Sequence, residues 1–373
     1  MKRSIVQLGD FLTLKRGYDL PEHARVSGDV PVVSSSGITG MHKDYKVHGP
    51  GVVTGRYGTL GEVYYIEGPF WPLNTALYVQ DFKGNHRRFV SYFLRWILSG
   101  TQSDKAAVPG VNRNDLHSRK VKIPVEISEQ AAIVSILSAY DDLIENNRRR
   151  IQLLEQSARL LYKEWFVHLR FPGHEHTKII DGVPEGWERK MLGDICFEVR
   201  ESVSPNTLEP ETPYIGLEHM PRRSITLCDW DTVEKVTSSK HRFREGEILF
   251  GKIRPYFHKV GIALIDGVAS SDTIVIRPVS PDLLVLVLMT TSSDGFVAVS
   301  AQQMKEGSKM PRADWKQMQQ YPILQPPDGM LSVFNECIEP IIAQLKTLCF
   351  SNKQLEKARD LLLPKLMNGE IAV

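Results

Sequence analysis

The chain repeats itself, and a repeat constrains a fold more than any local motif does. Leu8-Gly9-Asp10 recurs as Leu192-Gly193-Asp194. Gly51 to Tyr57, with Gly61 beyond it, resembles Gly246 to Lys252, with Gly261 beyond it. Asn74-Thr75 stands where Asp272-Thr273 stands, and Val111 to Leu116 echoes Met310 to Trp315. The offset drifts upward from 184 residues (192 less 8), yet the order of the matches is kept.

Each copy closes on a long apolar seam. In the first, Ile133, Leu137, Tyr140, Ile144, Asn147, Ile151, Leu154, Ala158, Leu161 and Trp165 alternate at spacings of four and three. In the second, Phe334, Ile338, Ile341, Leu345, Leu348, Asn352, Leu355, Arg359, Leu362 and Leu366 do the same. This spacing is the heptad pattern of a helix packed along one stripe. Ser128 followed by Glu129 and Gln130 predicts the first helix's N-cap, and Gly369 a stop for the second. Pro340 is expected to bend the second helix or to mark its first turns. If the two helices lie antiparallel with their seams centred, Asn147 meets Asn352, and paired polar seam residues fix register. A 33-residue helix from Ile133 to Trp165 is about 50 Å long at ~1.5 Å per residue, enough for a stiff spacer.

Between the seams lie short alternating runs: Val52-Val53, Val63 to Ile66, Thr75 to Val79, Glu247 to Phe250, Val260 to Ile265 and Thr273 to Ile276. Glycine and proline turns separate them, and helices are expected near Arg88 to Leu98 and Asp282 to Met289. The class is α+β: two β-rich modules, residues 1–125 and 173–327, each followed by a helix, 126–172 and 328–373. The two helices form an antiparallel coiled coil, and the whole is pseudo-twofold.

Composition excludes several classes. With 373 residues, 42% hydrophobic and 24% charged, the chain is neither disordered nor fibrous. The longest apolar run, around Leu283 to Met289, is far short of the ~20 residues that span a bilayer. Lys2 and Arg3 are followed by no apolar stretch, so no secretory signal is expected and the cytoplasm is the default compartment. Cys196, Cys228, Cys337 and Cys349 show no CxxC spacing, which argues against a disulfide framework or a zinc site.

Motifs of chemistry are missing. There is no GxxxxGK[ST] loop, no GxGxxG opening a helix and no GxSxG elbow. His168, His174, Glu175 and His176 fit no standard ligand spacing and read as a linker. Glu247 and Lys252 lack the upstream acid of a nuclease site. No catalytic, cofactor or metal-binding residue is assigned.

Cations and aromatics cluster instead. Gly251 to Lys259 carries Lys252, Arg254, Tyr256, Phe257 and Lys259 on one turn, with Arg222-Arg223 and Lys240 to Arg244 near in sequence. Arg56 and Tyr57 occupy the corresponding turn of the first module. The net charge of +2 hides this pattern. Residues 1–125 hold 17 Lys and Arg against 10 Asp and Glu, a net of +7; residues 222–259 hold 9 against 5, a net of +4. Arginine forks grip guanine edges and phosphates, so a DNA-binding surface explains both clusters together.

Five stretches resemble the specificity subunits of type I restriction-modification systems. Ile123 to Gln130, Leu143 to Ile151 and Leu160 to Phe166 look like that family's central helix. Ile248 to Tyr256 looks like its target-recognition strand and turn, and Leu361 to Ile371 like its C-terminal signature. The first module departs from the pattern, with Thr54 to Gly58 replacing the longer arginine-proline-tyrosine form. The resemblance implies two target-recognition domains, each reading half of a bipartite site in double-stranded DNA. It implies helices that set the gap and dock two methyltransferase subunits, with a motor subunit cleaving DNA when present. On this basis Arg56, Tyr57, Lys252, Arg254 and Tyr256 are expected to face DNA, and Arg113, Lys309 and Arg312 to touch phosphates. A second possibility is a repeat-built coiled-coil scaffold that never touches DNA; salt-dependent duplex binding separates the two.

Overall fold

The computed structural model describes residues 3–56, 61–99, 112–302 and 311–373. It mixes helix and sheet, and it divides into two units, residues 1–144 with 354–373, and residues 145–353. The division falls inside both long helices. Tyr57, Lys309, Val111 and Met310 lie outside the described residues.

The first unit opens with β1 (Arg3–Gln7), α1 (Leu8–Phe11) and β2 (Thr13–Arg16), followed by β3 (Val30–Ser34) and β4 (Gly37–His42). Then come β5 (Gly51–Gly55), β6 (Val63–Ile66), β7 (Trp71–Pro72) and β8 (Ala76–Asp81), α2 (Arg87–Leu98), α3 (Arg113–Ser118) and β9 (Lys120–Pro124). One sheet has the order β2-β8-β5-β6, a second β4-β3-β7, and β1 pairs antiparallel with β9. Every residue of β5 is buried, which explains its unbroken small and apolar run. Phe89, Phe93, Leu94 and Ile97 of α2 pack with Leu8, Phe11, Leu77 and Val79 as the core.

The long helix α4 (Ile127–Tyr162) follows and continues as a π-turn through Lys163–Val167. It starts one residue before Ser128, so Ser128 is inside the helix and not its cap. Within the first unit, Ile133 and Leu137 of α4 share a core with Leu363, Leu366 and Met367 near the chain's end. Arg359 donates to Asp141 Oδ1 at 2.7 Å, and the Tyr92 hydroxyl donates to the other oxygen of that carboxylate. A charged residue is thus admitted to the second seam because it meets a carboxylate on the first.

The second unit has β10 (Ile179–Ile180), β11 (Val183–Pro184), β12 (Glu188–Met191), α5 (Leu192–Ile195), β13 (Cys196–Val199), β14 (Ser202–Val203) and β15 (Pro213–Ile215). Next are β16 (Thr226–Leu227), β17 (Asp231–Thr232), β18 (Lys240–Phe243), β19 (Ile248–Gly251), β20 (Val260–Ala263), β21 (Gly267–Ala269) and β22 (Thr273–Pro278). After α6 (Leu284–Thr291), α7 (Asp294–Gln302), α8 (Trp315–Met318) and β23 (Pro322–Gln325) comes α9 (Asp328–Asn368). The sheets run β13-β22-β19-β20-β16 and β14-β18-β21-β15-β17. The apolar run of α6 is buried in the core of this unit. Among the described residues no single helix is long and apolar enough to cross a membrane.

Helix α9 begins twelve residues before Pro340 and passes through it, so that proline marks neither its start nor a break in it. Gly369, at φ +78°, ends it, and the Glu370 N–H returns to the Lys365 carbonyl at 2.9 Å. All twenty seam residues named above are buried or half-buried. Asn147 and Asn352 meet, Nδ2 to Oδ1, at 2.9 Å.

The repeat reappears as geometry. β1 pairs with β9, and β12 with β23. The Leu8 N–H reaches the Arg119 carbonyl as the Leu192 N–H reaches that of Tyr321, both at 2.9 Å. A Cβ on Gly9 would stand 3.2 Å from His117, and one on Gly193 3.1 Å from Gln319, so a side chain at either position would press on the same neighbouring segment. These pairs share an offset of 202 at the partner strand (321 less 119), which corrects two matches made on residue identity. The N-cap Asn112 corresponds to the N-cap Asp314, not to Pro311, because capping asks only for a side-chain oxygen. Thr75 corresponds to Asp272, since their carbonyls accept from Arg56 and Lys252. A further correction concerns the cysteines: Cys228 and Cys349 are joined as a disulfide, 121 residues apart. So wide a separation leaves no spacing signature.

Candidate nucleic-acid interface

In the second unit the cationic turn grows out of β19 and is clamped by its backbone. The Lys252 N–H donates to the Asp272 carbonyl at 2.7 Å, the Arg254 N–H to Pro311 at 2.9 Å, and the Ala313 N–H to the Lys252 carbonyl at 2.9 Å. Ile253 and Arg312 form an isolated antiparallel bridge. Lys252, Arg254 and Arg312, 60 residues apart at their extremes (312 less 252), are therefore brought to one place.

Three residues around this turn hold left-handed backbone without being glycine: Arg223 at φ +56°, Arg254 at +48° and His258 at +54°. Such conformations persist only where the surroundings enforce them. Here the Arg223 N–H is tied to the His258 carbonyl at 2.9 Å, and the His258 ring to the Ser292 carbonyl at 2.8 Å. Arg254 and Tyr256 are exposed as a result, Tyr256 at 53%. Phe257 lies between two guanidinium groups, Arg222 at 4.0 Å and Arg254 at 5.7 Å from its ring centroid.

The cations are not equally available. Lys252 turns its ammonium inward to the Ser271 carbonyl at 3.3 Å, near Glu198. Arg312 is ion-paired with Asp272 at 3.2 Å but stays 61% exposed. Burial pushes the Lys259 ammonium below its ordinary value, helped by neighbouring Arg222. Lys240 is buried against Tyr214, and Arg242 is paired with Glu201, so that basic run serves the sheet. Glu247 is buried between the Arg244 N–H and the Arg277 side chain and closes a turn.

In the first unit, Arg56 is half-buried at the end of β5, its N–H on the Thr75 carbonyl. Arg113 is exposed on the first residue of α3. Sequence reasoning missed a second group there. Lys46 sits 4.7 Å from the Trp71 ring and 5.8 Å from Tyr18, and Lys15 is 5.8 Å from Tyr18. Lys46 and Trp71 are far apart in the chain and give no local pattern. Among the described residues no group of three or more His, Cys, Asp or Glu side chains is placed to hold a metal ion.

The arrangement offers side chains suited to phosphate and base edges on a fixed backbone. The family described as "Type I restriction modification DNA specificity domain" matches residues 3–156. The chain is 25% identical over 271 residues to the type I restriction enzyme MjaIX specificity subunit of Methanocaldococcus jannaschii, covering 68% of this chain and 62% of that protein. It is 24% identical over 314 residues to the EcoDI specificity subunit of Escherichia coli, covering 75% and 70%. The chain thus spans somewhat under two thirds of the first relative's length. The crystal structure of the type I system S subunit from M. genitalium covers 98% of this chain and 96% of its own, with a TM-score of 0.61 at 14% identity, and shares the fold. This chain is similar to the specificity subunits of type I restriction-modification systems, and its residues 3–156 match their DNA specificity domain.

Proposed function

We propose that the chain reads a bipartite site in double-stranded DNA, one half-site per module, as the recognition part of a larger complex that it does not itself catalyse. The modules are residues 1–125 and 173–327. The helices of 126–172 and 328–373 act as an antiparallel coiled-coil ruler, pseudo-twofold in plan, that sets the gap and docks two methyltransferase subunits. A restriction motor subunit joins when present, and the complex works in the cytoplasm. The physical sense is that of any paired reader: the spacing between reading surfaces fixes the spacing between half-sites.

The observation that carries this proposal is the clamped turn exposing Arg254 and Tyr256, with Arg222 and Arg312 beside it. Arg56, at the turn that corresponds to Lys252, and Arg113 are the candidates in the first module. The test is to map methylated adenines in DNA exposed to the complex reconstituted with methyltransferase subunits. Two constant half-sites at one fixed gap are expected. Unpatterned methylation, or duplex binding indifferent to salt, would favour the scaffold.

A further inference from the structure

Within the second unit, a cavity of about 650 Å³ lies between α4, α6 and the β23 strand. That volume is within the ~300–1,000 Å³ range of small-molecule sites. Its walls are apolar along Phe166, Leu286, Met289 and Ile323. Lys163, Arg189 and Arg223 also line it, and one further basic group differs from them. Arg159 lines the cavity, and its Nε and Nη2 are buried with no hydrogen-bond partner among the described residues.

Guanidinium N–H groups buried without acceptors are costly. The neighbouring carboxylates attract it but place their hydrogen bonds elsewhere. Glu155, one turn earlier, commits its Oε1 to Ser224 at 2.6 Å, the Ile225 N–H at 3.1 Å and Thr226 at 2.7 Å. Asp294, the carboxylate on the cavity wall, is paired with Arg223 at 2.7 Å and faces His258 at 3.5 Å. Arg223 and Asp294 pair with each other, which leaves Nε and Nη2 of Arg159 without an acceptor. Burial draws the Arg159 guanidinium below its ordinary value, against the pull of Glu155 and Asp294. Tyr162, whose hydroxyl contacts Thr290 at 3.2 Å, is pushed up to about 12 by burial and stays a neutral donor.

We propose that this cavity binds a small organic monoanion, a carboxylate on an apolar body, with the carboxylate on the Arg159 fork and the body against Phe166, Leu286, Met289 and Ile323. A planar carboxylate matches the guanidinium fork with two parallel hydrogen bonds. The site is separate from the exposed face of the recognition turn, and binding there does not depend on DNA being read.

The test uses the full chain with sodium octanoate as ligand, read by displacement of the fluorescent anion anilinonaphthalene sulfonate and by calorimetry. Saturable binding of one octanoate per chain is expected, with octanol, the neutral analogue, at least tenfold weaker. Arg159→Gln should weaken octanoate at least tenfold and bring it level with octanol. Leu160→Trp, at a 54% exposed lining position where folding is tolerant, should obstruct entry and give a similar loss. Equal binding of octanoate and octanol by the native chain, or an unchanged octanoate affinity in a folded Arg159→Gln, would overturn the site. If Arg159→Gln does not fold, unchanged octanoate binding by Leu160→Trp has the same force.

Discussion

Asn147 donates its amide to the Oδ1 of Asn352 at 2.9 Å, and each residue is less than a tenth exposed. A buried amide pair of this kind is satisfied only in one register. Asn352→Leu leaves the Asn147 amide without this acceptor and should cost about 1–3 kcal/mol. Replacing both with leucine should recover most of that loss, as apolar pairs in seams do. Urea unfolding of the single and double variants measures it. A single variant as stable as the native chain would show that the pair does not contribute.

Glu155 makes a second tie from α4. One carboxylate oxygen holds two hydroxyls and the Ile225 N–H at the edge of β16. Hydrogen bonds to a charged acceptor are worth roughly 1.5–3 kcal/mol each, with losses that do not add fully. Glu155→Ala should lower stability by about 3 kcal/mol, and Glu155→Gln by less. Amide exchange at Ile225 should rise in both variants.

His258 gives the chain a pH response. Desolvation holds its imidazole below the ordinary 6.5, with the Ser292 carbonyl opposing. Between 6.5 and the lower folded value, the unfolded chain binds a proton that the folded chain refuses. Its contribution is therefore complete above about pH 7 and is lost as the pH falls through this window. His258→Asn, a residue that tolerates left-handed backbone, should flatten the fall in urea midpoint between about pH 7.5 and 5.5. His117 and His241 are held low in the same way, so part of the slope should remain.

Arg254→Ala should weaken methylation at one half-site and leave the other unchanged. It should also reduce the slope of log affinity against log salt by about 1, if the guanidinium meets a phosphate. An unchanged slope with altered base preference would instead assign it to a base edge. Methylation mapping across a salt series distinguishes these.

Seven residues inserted after Asn147 in α4, matched by seven after Ser351 in α9, keep the heptad phase and lengthen the pair by about 10 Å. The tolerated gap should widen by about three base pairs at ~3.4 Å each, with both half-sites intact. Altered half-sites at an unchanged gap would reverse the roles given to helix and module.

The seams could be read directly because every residue in them obeys one period, and a buried asparagine in each stands out against leucine. The strands of each module were legible for the same reason, since β5, β19 and β22 are short apolar runs between turns. What escaped was whatever depends on distant partners. Arg222 stacks on Phe257, and Lys46 on Trp71, across stretches with no common spacing. Lys252 was readable as a cation but not as one folded inward onto Ser271. The repeat matches misplaced Asn112 because residue identity was compared where the structure preserves a hydrogen-bonding role.

The left-handed residues Arg223, Arg254 and His258 have a consequence for how such a protein changes. Arg223 and Arg254 are held by carbonyl partners at His258 and Pro311, and His258 by its buried ring on the Ser292 carbonyl, not by the side chains that the turn displays. Substitution at 254 or 256 therefore alters what is shown without reshaping the mount. Descendants of this chain can acquire new lettering one residue at a time while the type on which it is set stays cast.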